Sequence, residues 1–151
     1  MKPINLKIRA MVSADLEQVV ALDAMASGLT RRDFFRRRWQ AMETKPQLYT
    51  GLIAESRDTI RGFVLGHILT GEFGAHRKLA IIDSIAVTPD LRGSGIGAAL
   101  MEALKARAKE LDCAELRTLA EWNRLDILGF FAKSGFSLVP VNVLEKTLEQ
   151  C

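Results

Sequence analysis

Apolar and polar positions along the chain fall into blocks with a period of two or of about 3.6, and the blocks predict the elements. Lys7-Ile8-Arg9-Ala10-Met11 reads as an opening strand. Leu16, Val19 and Val20 share one face of a helix over residues 14–26, with Ser13 as N-cap and Gly28 as its stop. Phe34, Phe35, Arg38, Trp39 and Met42 mark a second helix that ends before Pro46. Thr30 is its expected N-cap, with Asp33 three residues later in capping-box spacing. Residues 48–55 and 60–70 read as strands joined by the polar turn Ser56-Arg57-Asp58-Thr59. Gly62 and Gly66 inside the second of these predict bulges or a close backbone approach. Residues 71–78 form a loop.

Residues 79–87 are apolar without clean alternation, which predicts a central strand buried on both faces. Ile96, Leu100, Leu104 and Leu111 then recur at helical spacing, with Lys105, Arg107 and Lys109 facing outward. Residues 114–119 read as a strand and 124–134 as a helix stopped by Gly135. Residues 136–139 and 143–148 complete a closing hairpin around Pro140, Val141 and Asn142. Consecutive strands early in the chain argue for antiparallel pairing, and the strand–helix–strand unit at 79–119 for one parallel pair. The expected fold is α/β (a mixed α+β sheet): a mostly antiparallel sheet with helices on both faces. No repeat or linker interrupts the chain, so residues 1–151 are read as a single domain.

Composition narrows the class. With 48% hydrophobic and 26% charged residues, the 151-residue chain has the make-up of a soluble globular domain. No apolar run approaches ~18 residues, so no membrane span is expected. The N-terminus lacks the apolar stretch of a signal peptide, which points to the cytoplasm. Two cysteines, Cys113 and Cys151, make no disulfide framework, and with His67 and His76 they lack ligand spacing, so no metal is expected. Cys113 reads as a small buried residue. A net charge of +3 and a pI near 9.1 raise nucleic-acid binding, but the basic residues are spread. The one cluster, between Arg31 and Arg38, reads first as a solvated helix face and second as an attraction for an anionic ligand. No nucleic-acid or membrane partner is therefore expected.

The chemistry concentrates at residues 83–100. An apolar strand leads through Thr88-Pro89-Asp90-Leu91-Arg92 into Gly93-Ser94-Gly95-Ile96-Gly97-Ala98 and a helix. Glycines at every second position leave backbone N–H groups bare at a helix start, a main-chain site for a phosphorylated cofactor. A nucleoside-triphosphate loop needs a Lys-Ser/Thr pair after its last glycine, and Ala98-Ala99 stands there instead. Gly93-x-Gly95-x-x-Ala98 formally fits a dinucleotide fingerprint. The five residues between strand and glycine break its context.

Arg92-Gly93-Ser94-Gly95-Ile96-Gly97 instead matches the R/Q-x-x-G-x-G/A pattern of the GNAT-superfamily acyltransferases. Ile85-Ala86-Val87-Thr88-Pro89 resembles that family's fourth strand and turn. Asn123 with Phe130-Phe131-Ala132-Lys133-Ser134-Gly135-Phe136 resembles its second signature. The resemblance is specific over residues 79–136, with wording similar to a little-characterised prokaryotic branch. It implies the GNAT fold with a splayed parallel pair, and an N-acetyltransferase moving an acetyl group from acetyl-CoA to a primary amine of a small molecule or protein. It implies pyrophosphate contacts from Arg92, Gly93, Ser94, Gly95, Ile96, Gly97 and Ala98, and pantetheine pairing with Ile85, Ala86 and Val87. A backbone N–H near Ala86 or Val87 would face the thioester oxygen. Asn123 would touch the pantetheine arm, or serve as N-cap of the last helix, and Lys133 is a candidate for the adenosine phosphates. Dimers are common among similar proteins, so a homodimer is possible.

Direct transfer needs a base, because lysine-like amines titrate near ~10.4. Asp83 is the first choice, a carboxylate in an apolar strand that is costly there unless it faces a cleft; its competing role is a structural partner for an arginine or for backbone N–H groups. Glu121 is second, and Glu72 is a candidate for lining the acceptor mouth. The family's usual acidic tyrosine is replaced by Phe131, which leaves that role empty. The acceptor site is expected between the first two helices and the 71–78 loop, near Phe34, Phe35, Trp39 and Phe73. The alternative is a non-catalytic acyl-CoA sensor or scaffold on the same fold.

Overall fold

A computed structural model describes residues 5–71 and 77–149. The chain divides into two compact units, residues 1–119 and 120–151. The first holds β1 (Lys7–Ala10), α1 (Leu16–Ser27), α2 (Arg32–Thr44), β2 (Tyr49–Ser56), β3 (Thr59–Thr70), β4 (Lys78–Val87), α3 (Ile96–Glu110) and β5 (Cys113–Thr118). The second holds α4 (Leu125–Lys133). The five strands lie in the order β1-β2-β3-β4-β5, antiparallel at every step except the parallel β4–β5 pair. The mixed sheet expected from the element order is thus present.

Alternation along β3 assigns the two faces. Phe63 and Leu65 point to one cluster with Val19, Val20 and Leu22 of α1 and Phe35 of α2. Phe35 and Phe63 meet edge to face at 5.7 Å, so truncating either would cost about 3–5 kcal/mol. The opposite face receives α3. A Cβ at Gly62 would lie 3.0 Å from the Ala86 carbonyl, 3.1 Å from Ile96 and 3.2 Å from Leu100, so the bare backbone lets that helix settle. The middle strand is β3, with Phe63, Val64 and Leu65 at most 1% exposed. Burial on both faces therefore belongs to β3 rather than to β4, whose residues Asp83 to Ile85 are only half-buried.

The β2–β3 turn places Arg57 and Asp58 both at positive φ (53° and 60°), the type I′ geometry that matches strand twist. The expected helix caps differ. Ser13 caps nothing: it lies in a 3₁₀ turn, and Asp15 instead accepts the Val12 N–H at 2.8 Å while Arg9 clamps both its oxygens. Thr30 does not cap α2, whose N-cap is Arg31; that side chain is drawn away to Asp23. Tertiary charge pairs outrank local capping at both starts.

In the second unit α4 ends in a Schellman motif. Phe136 N–H donates to the Phe131 carbonyl and Gly135 N–H to that of Ala132, with Gly135 at φ 92°. The Phe131 and Phe136 rings close the motif at 5.0 Å. The N-cap is Arg124, not Asn123. The closing hairpin is absent: residues 136–149 form neither helix nor strand. A lone short hairpin is marginal without a packed face, and Leu138, Leu144 and Leu148 stay exposed.

Candidate functional site

The parallel ladder of β4 and β5 runs from Lys78–Cys113 to Ile82–Thr118 and stops there. β5 ends at Thr118, and β4 continues for five residues paired, among the described residues, with β3 alone. Ile85, Ala86 and Val87 lie in this parted stretch, paired with Val64, Phe63 and Gly62. Among the described residues no strand pairs with their other side. A β-bulge marks the point of parting. Leu65 pairs with Ser84 and Gly66 with Ile82, which leaves Asp83 as the surplus residue of β4. Gly66 makes room for it: a Cβ there would sit 2.8 Å from the Ile81 carbonyl.

From Val87 the chain passes through a 3₁₀ turn, Pro89–Leu91, to the glycines. Gly93 and Gly95 stand at φ 82° and 92°, and Gly95 is the N-cap of α3. The Ser94 hydroxyl and N–H both donate to the Leu91 carbonyl, which fixes the turn. Among the described residues no backbone carbonyl accepts from Gly93, Gly95, Ile96, Gly97 or Ala98. Arg92, Gly93, Ser94 and Gly95 are exposed. Five free donors at a helix start, beside an exposed guanidinium, fit a diphosphate: each charge-assisted hydrogen bond contributes ~1.5–3 kcal/mol.

The side chains around the bulge form two ionic clusters. Asp83, its side chain 10% exposed, faces His67 of β3, with Nδ1 2.8 Å from Oδ1 and 2.9 Å from Oδ2. Arg38 of α2 stands 3.5 Å from the same Oδ1 and crosses the rings of Phe34 and Tyr49. The carboxylate thus has the arginine partner that was its structural alternative, and a histidine that sequence reasoning missed. Next to it, Ser84 donates to Asp23 of α1 at 3.4 Å, and Arg31 grips Asp23 at 2.6 and 2.9 Å. That hydrogen bond raises the affinity of the Arg31 guanidinium for its proton. Arg31 and Arg38 therefore turn inward, against the expectation of a solvated face. Arg36, by contrast, pairs with Asp33 at the surface.

An open pocket of about 290 Å³ adjoins the Asp83 cluster, lined by Phe34, Arg37, Arg38, Ala41 and Tyr49. Phe35, also named for the acceptor region, is fully buried core. Glu72, Phe73 and His76 lie outside the described residues. Glu121, Asn123, Phe131 and Lys133 belong to the second unit, where Phe131 is buried between Phe130 and Phe136 and Glu121, Asn123 and Lys133 are exposed. Cys113 is half-buried rather than buried, and burial pushes its thiol above the ordinary value. Among the described residues no three His, Cys, Asp or Glu side chains gather as a metal site. No described helix is long and apolar enough to cross a membrane.

The family model for the acetyltransferase (GNAT) family matches residues 16–136. No curated protein matches the chain by sequence. Among solved structures, a transcriptional regulator from Bacillus halodurans C-125 is similar at 22% identity and a TM-score of 0.79, over 95% of this chain and 100% of that one. AAC(6')-Iy in complex with the bisubstrate analogue CoA-S-monomethyl-acetylneamine is similar at 16% identity and a TM-score of 0.81, covering 97% and 99%. Glucosamine-6-phosphate N-acetyltransferase from Arabidopsis thaliana follows at 18% and 0.74, covering 94% and 98%. At these identities the structural likenesses show the fold.

Proposed function

Because the chain belongs to the GNAT acetyltransferase family and is an acetyl-CoA-dependent N-acetyltransferase, we propose that it transfers the acetyl group directly to a primary amine of a small molecule or a protein, with both substrates bound together. The observation that carries this reading is the stretch of β4 left without a β5 partner after the Ile82–Thr118 pair, one short turn before the bare glycine loop. A single extended cosubstrate can lie along the first and anchor its diphosphate on the second.

Acetyl-CoA supplies an activated acetyl thioester. This chain's residues hold and orient it. The N–H groups of Gly93, Gly95, Ile96, Gly97 and Ala98 hold the diphosphate, with Arg92 adding a cation and Ser94 shaping the turn. The backbone of Ile85, Ala86 and Val87 pairs with the pantetheine amides, and an N–H at Ala86 or Val87 polarises the reacting carbonyl. Asp83 supplies the charge that supports proton removal from the amine. Asn123 keeps the pantetheine contact implied by the family signature, Glu121 remains the second candidate base, and Phe131 leaves the acid role of the family's tyrosine empty. The acceptor enters on the α2 side of β4, where the pocket of Phe34, Arg37, Arg38, Ala41 and Tyr49 lies. The solved relatives act on or bind amines as different as an amino-sugar phosphate and an acetylneamine, so the fold itself does not choose the acceptor. A cytoplasmic, homodimeric enzyme without nucleic-acid or membrane partners completes the reading.

Titration calorimetry with acetyl-CoA and a thiol-release assay over an amine panel test it. Binding with turnover of at least one amine is expected, and Asp83→Ala should cut the rate at least tenfold while acetyl-CoA affinity holds. A folded protein that gives no heat with acetyl-CoA would sink the proposal.

A further inference from the structure

We infer that His67 is the group that takes the proton from the acceptor amine, and that Asp83 is its positioning residue; this rests on the acetyl-transfer reading above. Asp83 is poorly placed to act alone. Both of its oxygens lie within 2.9 Å of His67 Nδ1, and Oδ1 also faces Arg38 at 3.5 Å. Both oxygens are thus already turned to partners on β3 and α2. The same contacts orient the imidazole. A carboxylate can only accept, so Nδ1 carries the hydrogen, and in the neutral ring Nε2 is then the nitrogen with the lone pair. Among the described residues Nε2 has no hydrogen-bond partner.

Position supports the assignment. His67 pairs with Ile81, two residues before the bulge, and so stands beside the point where β4 leaves β5. The Tyr49 ring of β2 stacks on it at 6.1 Å and 29°, which fixes the imidazole plane. Tyr49 and Arg38 also line the pocket proposed for the acceptor. Among the described residues, the titratable and charged groups facing His67 are Asp83 from β4, Tyr49 from β2 and, through Asp83, Arg38 from α2.

The step balances. The amine arrives as an ammonium, and one N–H proton passes to His67 Nε2. The freed lone pair forms the C–N bond to the acetyl carbon as the C–S bond breaks, the electron pair leaving on sulfur. The nitrogen's surplus proton goes to that sulfur as the CoA thiol, and His67 returns its own proton to water.

The test uses the full chain, with the amine from the panel that releases thiol fastest. His67→Ala should lower kcat at least 100-fold while the acetyl-CoA dissociation constant stays within twofold, and added imidazole should restore at least tenfold of the loss. Asp83→Asn should lower kcat 10-fold or more and displace the pH–rate profile, which a purely structural role would not do. Nitrogen-15 NMR of the histidine-labelled protein, assigned with His67→Gln, should show the neutral ring in its Nδ1–H tautomer. A His67→Ala variant that keeps more than a third of wild-type kcat overturns the assignment, and so does an Nε2–H tautomer. If no amine is acetylated, the tautomer alone decides. Absence of acetyl-CoA binding would strike the transfer reading instead.

Discussion

Thr118 closes the fork between β4 and β5: it is the last residue paired with Ile82, and its hydroxyl donates to the Ile82 carbonyl at 3.3 Å. Beyond that bond the backbone of Asp83 to Val87 has, among the described residues, no ladder partner on the β5 side. If acetyl-CoA occupies the gap, hydrogen exchange should slow in peptides spanning 83–87 and 92–98 when it binds, and stay unchanged in β2. Exchange that ignores acetyl-CoA in both segments would contradict the placement.

The two kinds of glycine at the site should answer differently to alanine. Gly95 sits at φ 92° with open space around a built Cβ, so its cost is backbone alone, about 1–2 kcal/mol. Gly95→Ala should therefore fold, with acetyl-CoA affinity weakened at least tenfold. Gly66 has a carbonyl 2.8 Å from its Cβ position, and Gly66→Ala must move β3 from β4 at the bulge. It should lose more stability than Gly95→Ala in urea unfolding. The opposite ranking would remove the close approach as the reason for that glycine.

Asp23 is 2% exposed, and Arg31 supplies its counter-charge through two hydrogen bonds. Arg31→Ala strands a buried carboxylate and should destabilise by about 3–5 kcal/mol. The double variant Arg31→Leu, Asp23→Leu should recover most of that loss, because no unpaired charge remains. Chemical unfolding of the single and double variants checks both statements.

Asp15 gives the fold an acid limit. The Arg9 guanidinium, bonded to both oxygens at 2.8 Å, holds its carboxyl below the ordinary value of 3.8, with the Val12 N–H assisting and burial opposing. The native state thus favours the ionised form. That contribution is complete above the unfolded carboxyl's value and fades as pH falls below it. Unfolding of Asp15→Asn should show the deficit at pH 7 and little difference from wild type near pH 2. An equal deficit at both pH values would show that charge is not the cause.

The strand–turn–glycine pattern of residues 79–110 was legible because each part is local: an apolar run, a proline turn, glycines at positive φ, then helical spacing. Gly66 also announced the bulge it faces. What the sequence hid lies in pairs that only the fold joins. His67 and Asp83 are 16 positions apart and meet through the β3–β4 register plus one surplus residue, which no periodicity marks. Arg31 and Arg38 look like surface charge in a run of arginines until Asp23 and Asp83 are placed opposite them. Thr30 and Ser13 fit a local capping rule that the Arg31–Asp23 and Arg9–Asp15 pairs override. The closing hairpin failed for the opposite reason. Residues 136–139 and 143–148 flank a turn-like Pro140-Val141-Asn142, but a turn signal alone supplies no partner strand.

Because Leu65–Ser84 and Gly66–Ile82 would run on as neighbouring rungs without Asp83, the ladder does not require that residue. Excising it would bring those two rungs into step while deleting the carboxylate that aims His67 and pairs with Arg38. A variant shortened there should keep its ladder yet lose turnover at least as far as Asp83→Ala does.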